Sequence, residues 1–349
     1  SQMKYNNVSI ASFGYELPPN VVSSADLEKR LEPLYAALHF KKGQLEALTG
    51  IRERRFWDPG FAVSQGAIMA GKKALDASGL SPEAIQMLIY GGVCRENLEP
   101  ATACAVSDGL KLGPATLVYD VSNACLGIMN GMVQVANAIE LGHIEAGMVV
   151  SCESARQIVD ITIDRLLESM NMDVFKQTVA TLTGGSGAVA VVLARTDKSK
   201  PRPRLMGGVY RSALEHHGLC TWGPDSGIPS SGLQVMNTDS VGVLQNGVTL
   251  GIETFEAFKR ELDFKDGQPD KIICHQVGAT HQDTLLRSIG IPKQKDFTTF
   301  QYLGNIGTVS LPITAAMAAD RGVLEPGDLV GLLGIGSGLN CLMLGVRWL

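Results

Sequence analysis

Four residues occupy positions where a layered α/β protein would build a reactive site. They are Cys125 in YDVSNACLGIMNG (119–131), His275 in CHQVG (274–278), Asn305 in YLGNIGTVS (302–310) and Glu99 in ENLEPATA (96–103). Cys125 lies where the apolar run 116–122 gives way to a helical run starting near 125. A sulfur at a helix N-terminus has its thiolate favoured by the helix dipole, which suits a nucleophile. A buried structural cysteine fits the same position. His275 closes the run KIIC and is the only one of six histidines directly at the end of a buried-type strand. Such a ring is either a proton donor in a site or a satisfied core group. Asn305 is either an amide donor or a turn asparagine. Glu99 is either a site carboxylate or one favoured by the following helix N-terminus.

The elements that must position these residues alternate. Runs at 8–14, 87–93, 116–122, 146–152, 188–194, 271–275, 329–336 and 340–348 read as strands. Segments near 66–78, 101–112, 125–141, 247–262, 280–289 and 309–321 read as helices. Alternation of this kind predicts α/β layers with mostly parallel, buried strands. Ligands in open α/β sheets bind at the carboxyl ends of strands, where these four residues fall.

The chain also repeats itself. GHIEAG (142–147) matches GVLEPG (322–327) at an offset of 180, and the same offset carries Gly127 to Gly307, Ala136 to Ala316 and Ala138 to Ala318. It sets Cys125 opposite Asn305. A shorter match sets LIYG (88–91) against IICH (272–275) at an offset of 184. The repeat predicts two related halves, 1–195 carrying Cys125 and Glu99, and 196–349 carrying His275 and Asn305. Their seam lies in the polar, proline-bearing TDKSKPRPR (196–204).

Composition bounds the function. The 349 residues are 45% hydrophobic and 19% charged, with a net charge of -5. This is a globular balance, and it argues against a dedicated nucleic-acid binder. No apolar run predicts a transmembrane segment, and the N-terminal residues show no signal-peptide core. Seven scattered cysteines without a CxxC pair predict free thiols in the cytoplasm, with no metal site.

Other motifs carry less. GIGSGLN (334–340) lies between two predicted strands, so it is not a dinucleotide loop, which must open a helix. Its glycines suit close backbone approach to a ligand. The cluster IRERR (51–55) is solvated surface, or Arg52, Arg54 and Arg55 face phosphates.

Taken in order, TGIRERR (49–55), DVSNACLG (120–127), GGSGAVAVVLA (184–194), CHQVG, GNIGTVS (304–310) and GIGSGLN resemble the thiolase superfamily. Within it they are most similar to condensing enzymes of the β-ketoacyl synthase III kind. The resemblance covers essentially the whole chain. It implies a duplicated five-layer αβαβα fold and a homodimer. It implies that Cys125 takes an acyl group from a thioester, and that His275 and Asn305 hydrogen-bond the thioester oxygen of the second substrate. The backbone N–H groups of Cys125 and Ser337 would then form the acyl-transfer oxyanion hole. No cofactor is implied beyond CoA thioester substrates.

Glu99 decides the subtype. In malonyl-using synthases the matching position is usually apolar, because loss of CO₂ generates the carbanion. Glu99, with SCESA (151–155) and YRSALEHHGLC (210–220), resembles the OleA type. Those enzymes join two fatty acyl-CoAs without decarboxylation, using a glutamate from the partner subunit. The spacings agree with that type: 26 residues from Glu99 to Cys125 and 30 from His275 to Asn305. Thr280 stands where synthases using acyl-carrier protein carry arginine, and Gln44 where a tryptophan stacks on CoA, leaving Arg52 as the candidate for a CoA phosphate. The expected function is therefore non-decarboxylative Claisen condensation of two acyl-CoAs to a long-chain β-keto acid or thioester, ahead of downstream lipid-pathway enzymes. The alternatives are a decarboxylative synthase using malonyl-ACP or malonyl-CoA, and a non-catalytic acyl-binding subunit. A degradative thiolase would need a second catalytic cysteine where Ser337 stands. The methionine-bearing ESMNMDVF (168–175) lines an acyl channel or belongs to ordinary core.

Overall fold

The computed structural model describes residues 2–224 and 234–349. One ten-stranded sheet runs through it. From one edge the strands are Lys271–Cys274, Leu329–Gly336, Asn340–Arg347, Arg204–Ser212, Val8–Glu16, Gly187–Arg195, Ala146–Glu153, Met87–Gly91 and Leu117–Val121, with Gln2–Lys4 added beside Arg204–Ser212. The central strands are continuous apolar runs because both their faces are covered. Ala146–Glu153 is buried at every residue, and Gly187–Arg195 at all but the last.

At the seam between Val8–Glu16 and Arg204–Ser212 the two halves meet through one residue pair, Ser9 with Arg204, and Gln2–Lys4 of the first half pairs with Gly207–Val209 of the second. Reading outward from that seam, each half repeats one strand order. The N-terminal half ends in Leu117–Val121. At the matching place the C-terminal half has, among the described residues, only a single parallel bridge from Ile272 to Asp296. The expectation of mostly parallel strands is corrected. Met87–Gly91 is parallel to both its neighbours and Lys271–Cys274 to Leu329–Gly336, but the remaining named pairs in the sheet are antiparallel. Parallel neighbours need a long crossover, and the three residues between Leu329–Gly336 and Asn340–Arg347 allow only a hairpin. GIGSGLN thus joins two strands, as its sequence predicts.

Helices fill three further layers, giving the duplicated five-layer αβαβα fold. Val63–Ser78 and Thr102–Gly109 cover the outer face of the N-terminal half with a cluster that includes Ala67, Ala74, Val106 and Met148. Ser240–Glu261 and Ala279–Ile289 cover the outer face of the C-terminal half through Phe258, Leu286 and Met343. Between the sheet halves lie Gly127–Glu140 and Ser310–Asp320. Ser310–Asp320 is buried nearly all round, as a helix packed on every side must be.

The middle helices begin at a close contact. A methyl group on Gly127 would lie 2.9 Å from the Gly91 carbonyl carbon, so only glycine fits there. One residue on, the buried Ile128 N–H donates to Thr308 Oγ1 at 2.8 Å. These two positions are separated by the repeat offset of 180, so the hydrogen bond links equivalent points of the two halves.

Several elements give little signal in the sequence. Arg204–Ser212 contains two adjacent glycines, a poor strand signal. They are required because a methyl on Gly207 or Gly208 would lie 2.1 Å from Met3 O or 2.0 Å from Met343 O. The helices Ser24–Arg30, Glu32–Leu38, Arg156–Ser169 and Met172–Thr178 form a cap with its own core around Leu34, Phe56, Val159 and Phe175. ESMNMDVF belongs to this cap and does not line the cavity that holds Cys125.

Thr308→Val keeps the shape but leaves the buried Ile128 N–H without a partner. A loss of about 1–3 kcal/mol in unfolding free energy is expected in chemical denaturation. A change within error would mean that the halves do not depend on this bond.

Candidate active site

A cavity of about 420 Å³ opens between the two halves and is lined by Cys125, His275, Asn305 and Ser337 together. Its size is that of a small-molecule pocket. Apolar side chains dominate its wall, among them Ile158, Trp222, Met236, Val243 and Leu339.

Cys125 sits in a short turn, Ala124–Leu126, one turn ahead of the helix Gly127–Glu140. Ala124 adopts a φ of 45°, a left-handed conformation that costs a residue with a side chain about 1–3 kcal/mol. Asn123 anchors this elbow by donating to Asn130 Oδ1 at 2.7 Å and accepting from Asn340 Nδ2 at 3.3 Å. Ser337 follows the strand Leu329–Gly336, whose last residue abuts the cysteine. A methyl on Gly336 would lie 3.3 Å from the Cys125 amide nitrogen.

His275 follows Lys271–Cys274 and is buried. Asn305 is held by its backbone, donating to Thr183 O at 3.0 Å and accepting from Gly185 N at 2.9 Å. Its Oδ1 accepts from Gly307 N at 3.1 Å, which leaves its amide N–H groups for the cavity. Gly304 allows this turn, with a φ of 72° and no room for a side chain against Thr183 O.

Burial sets the protonation states. It pushes the Cys125 thiol up to about 12, with Glu153 and Cys220 adding to the shift. The expectation of a dipole-stabilised thiolate is therefore corrected: desolvation and a nearby carboxylate outweigh a helix that begins two residues later. Burial, then His281, pushes His275 down to about 3. The ring stays neutral and able to donate an N–H. Burial likewise lowers His281 to about 4 and raises Glu153 to about 7.

Glu153 and His281 also line the cavity and were missed as site residues. Glu153 ends the apolar strand Ala146–Glu153, so the rule that singled out His275 would have found it. His281 gives no such signal, because it faces the cavity from within the helix Ala279–Ile289.

Glu99 is not in this cavity. It is exposed on the loop 94–101, beside the fully exposed Leu98. Both ends of the loop are tied down. The Tyr90 hydroxyl donates to Cys94 O at 2.6 Å, and Asp120 accepts from Thr102 N and Ala103 N at 2.9 Å each. Asp120 thereby caps the helix Thr102–Gly109, a role that Glu99 does not fill.

The arginines divide. Arg54 is buried and donates to Ser24 Oγ and Leu182 O, each at 3.2 Å. Its Cβ backs Gly185 and Gly304, so it supports the Asn305 turn and faces no phosphate. Arg55 donates to Pro18 O at 3.0 Å. Arg52 is exposed and does not line the cavity.

The His275 ring is expected to stay neutral on acidification from about pH 8 to about pH 5, across the ordinary histidine value near 6.5. Imidazole nuclear magnetic resonance shifts check this. Titration near the ordinary value would mean a solvated ring.

Comparison with known proteins agrees with this geometry. The chain matches the family model for 3-oxoacyl-[acyl-carrier-protein (ACP)] synthase III over residues 119–209 and that for its C-terminal part over 260–348. It is 52% identical over 351 residues to an acyl-CoA:acyl-CoA alkyltransferase of Shewanella oneidensis, covering 99% of this chain and 100% of the relative. It is 37% identical over 347 residues to that of Xanthomonas campestris pv. campestris, covering 99% and 100%. Crystal structures of Xanthomonas campestris OleA superpose with a TM-score of 0.93 at 37% identity, covering 99% of this chain and 98% of that one. They include forms substituted at a cysteine and at a glutamate 26 positions before it. Another, at a TM-score of 0.92 and 36% identity over 99% of this chain and 100% of that one, holds lauric acid and lauroyl-CoA. The chain belongs to the acyl-CoA:acyl-CoA alkyltransferase (OleA) family of 3-oxoacyl-ACP synthase III-type condensing enzymes.

Proposed function

We propose that this enzyme joins two fatty acyl-CoA thioesters by non-decarboxylative Claisen condensation. The observation that carries the reading is the meeting of Cys125, His275, Asn305 and Ser337 on one apolar cavity. The Cys125 sulfur attacks the first thioester carbonyl, CoA leaves, and the acyl group stays on the cysteine. The backbone N–H groups of Cys125 and Ser337 hold the oxyanion of that step. The second acyl-CoA then loses an α-proton, and His275 and Asn305 stabilise its enolate oxygen as neutral donors. The enolate carbon attacks the acyl-enzyme, Cys125 leaves, and a β-ketoacyl thioester or its acid results. The chemistry needs no resident cofactor.

Glu99 is the base for the α-proton, acting on the cavity of a second copy in a homodimer. Its distance in sequence from Cys125 equals that between the glutamate and cysteine substituted in the Xanthomonas protein. It stands exposed on a loop tied at both ends. Leu117–Val121 ends the sheet next to that loop, with an open edge that suits pairing with another chain. The halves 1–195 and 196–349 act as the two units of each copy. Arg52 is an exposed candidate for a CoA phosphate. The reaction belongs to the cytoplasm, where free thiols such as these seven persist, and its product passes to downstream lipid-pathway enzymes. Among the described residues, no helix is long and apolar enough to cross a membrane.

Purified protein given myristoyl-CoA alone is expected to release CoA and form β-keto product. Product only after malonyl-ACP or malonyl-CoA is added would mean a decarboxylative synthase. Cys125→Ala is expected to abolish the acyl-enzyme seen by mass spectrometry. Glu99→Ala is expected to keep acylation and lose condensation.

Mixing Cys125→Ala and Glu99→Ala chains tests the shared site. In a mixed dimer, one cavity has both an intact cysteine and an intact partner glutamate. Recovery of condensation is expected, and no recovery in mixed dimers of proven composition would overturn the cross-subunit role.

A further inference from the structure

Acylation leaves one proton unassigned. The half-buried Cys125 thiol must lose it on attacking the thioester, and the departing CoA sulfur must gain one. His275 is poorly suited to take it, being a weak base whose N–H is needed as a donor. Glu99 stands on the exposed loop.

Glu153 is the only carboxylate lining the cavity among the described residues, which include no lysine or arginine there. Its strand and the one leading to Cys125 both lie parallel beside Met87–Gly91, so both residues come off the same end of the sheet. The carboxylate is held in place: Val93 N donates to Oε1 at 2.8 Å. Trp57 Nε1 fixes the Glu153 carbonyl at 3.1 Å. Glycines make room on both sides. A methyl on Gly92 would lie 2.6 Å from Oε1, and one on Gly307 would lie 3.0 Å from Oε2. A carboxyl group buried without a cation is costly to ionise, and its place in this cavity makes it a candidate for proton transfer.

We propose that Glu153 accepts the Cys125 thiol proton during acylation and returns it to the departing CoA sulfur. This rests on the reading of Cys125 as the acyl carrier. The S–H bond of Cys125 breaks as its sulfur bonds the carbonyl carbon, and Glu153 becomes the neutral acid. The bond from that carbon to the CoA sulfur then breaks, and the sulfur takes the proton from Glu153. The cycle closes with no net proton gained or lost. Burial holds the carboxyl near 7, where it both accepts and releases a proton at neutral pH. The titratable side chains it acts upon, Tyr90, Cys94, Cys125 and Cys152, are all neutral acids whose own ionisation it opposes.

Single-turnover acylation by myristoyl-CoA, read as CoA release and acyl-enzyme mass across pH, tests the assignment. Wild-type acylation is expected to rise with pH and level off above about 7. Glu153→Gln is expected to acylate about 100-fold or more slowly, with a rate that keeps climbing with pH. Glu153→Asp, which retains an ionisable group, is expected to be slower than wild type while keeping a levelling profile. It carries the test if melting curves show the Gln variant unfolded. Acylation at the wild-type rate in Glu153→Gln, or slow acylation with the wild-type pH profile, would overturn the proposal. No acyl-enzyme in the wild type would overturn the acyl-carrier reading with it, so the two failures are distinct.

Discussion

The contact between the starts of the two middle helices constrains the rest of the molecule. Gly127 lies against Gly91, and Ile128 is bonded to Thr308. Separation at that contact would move Cys125, just before one helix, away from Asn305, just before the other. The apolar middle layer holds both helices between the sheet halves, so the contact is braced from either side. The duplication thus has a chemical use in the proposed reaction, in which one half contributes the nucleophile and the other the oxygen-binding donors.

Desolvation is the second organising force. Four ionisable groups of the cavity are driven toward neutral forms: the Cys125 thiol upward, the His275 and His281 imidazoles downward and the Glu153 carboxyl upward. Neutral donors suit an enolate, because they hold charge that appears in the transition state without binding a counter-ion beforehand. The same dryness makes the cysteine a poor nucleophile until its proton has somewhere to go. In the proposed acylation, the Glu153 carboxyl answers that need, which a cysteine at a helix end does not meet by itself.

The position of Glu99 fits the proposed homodimer. Its loop is fastened by Tyr90 and Asp120, yet its tip carries an exposed leucine and an exposed carboxylate. A fastened loop with an apolar tip beside an open sheet edge suits contact with a second chain. The cavity is lined by Cys125, His275, Asn305 and Ser337, while Glu99 lies outside it.

Much was legible in the sequence because it depends on local pattern. Continuous apolar runs located eight of the sheet's strands, and the offset of 180 paired Cys125 with Asn305 before any fold was known. Cysteine, histidine and asparagine were each found from their place at the junction of a strand with the next element. Other features depend on residues far away along the chain. Strand direction followed connection length, so an apolar run could not reveal that most neighbours are antiparallel. Arg54 read as a surface charge or a phosphate contact, yet it is buried, bonded to Ser24 and Leu182, and its Cβ backs the Asn305 turn. The protonation state of Cys125 was misjudged because a helix start is visible in sequence and burial against Glu153 is not. His281 was invisible, since only the packing of its helix turns it to the cavity. Residue order alone determined which groups stand at strand ends, while only the folded arrangement decided which share a dry space, because desolvation is set by neighbours distant in the chain.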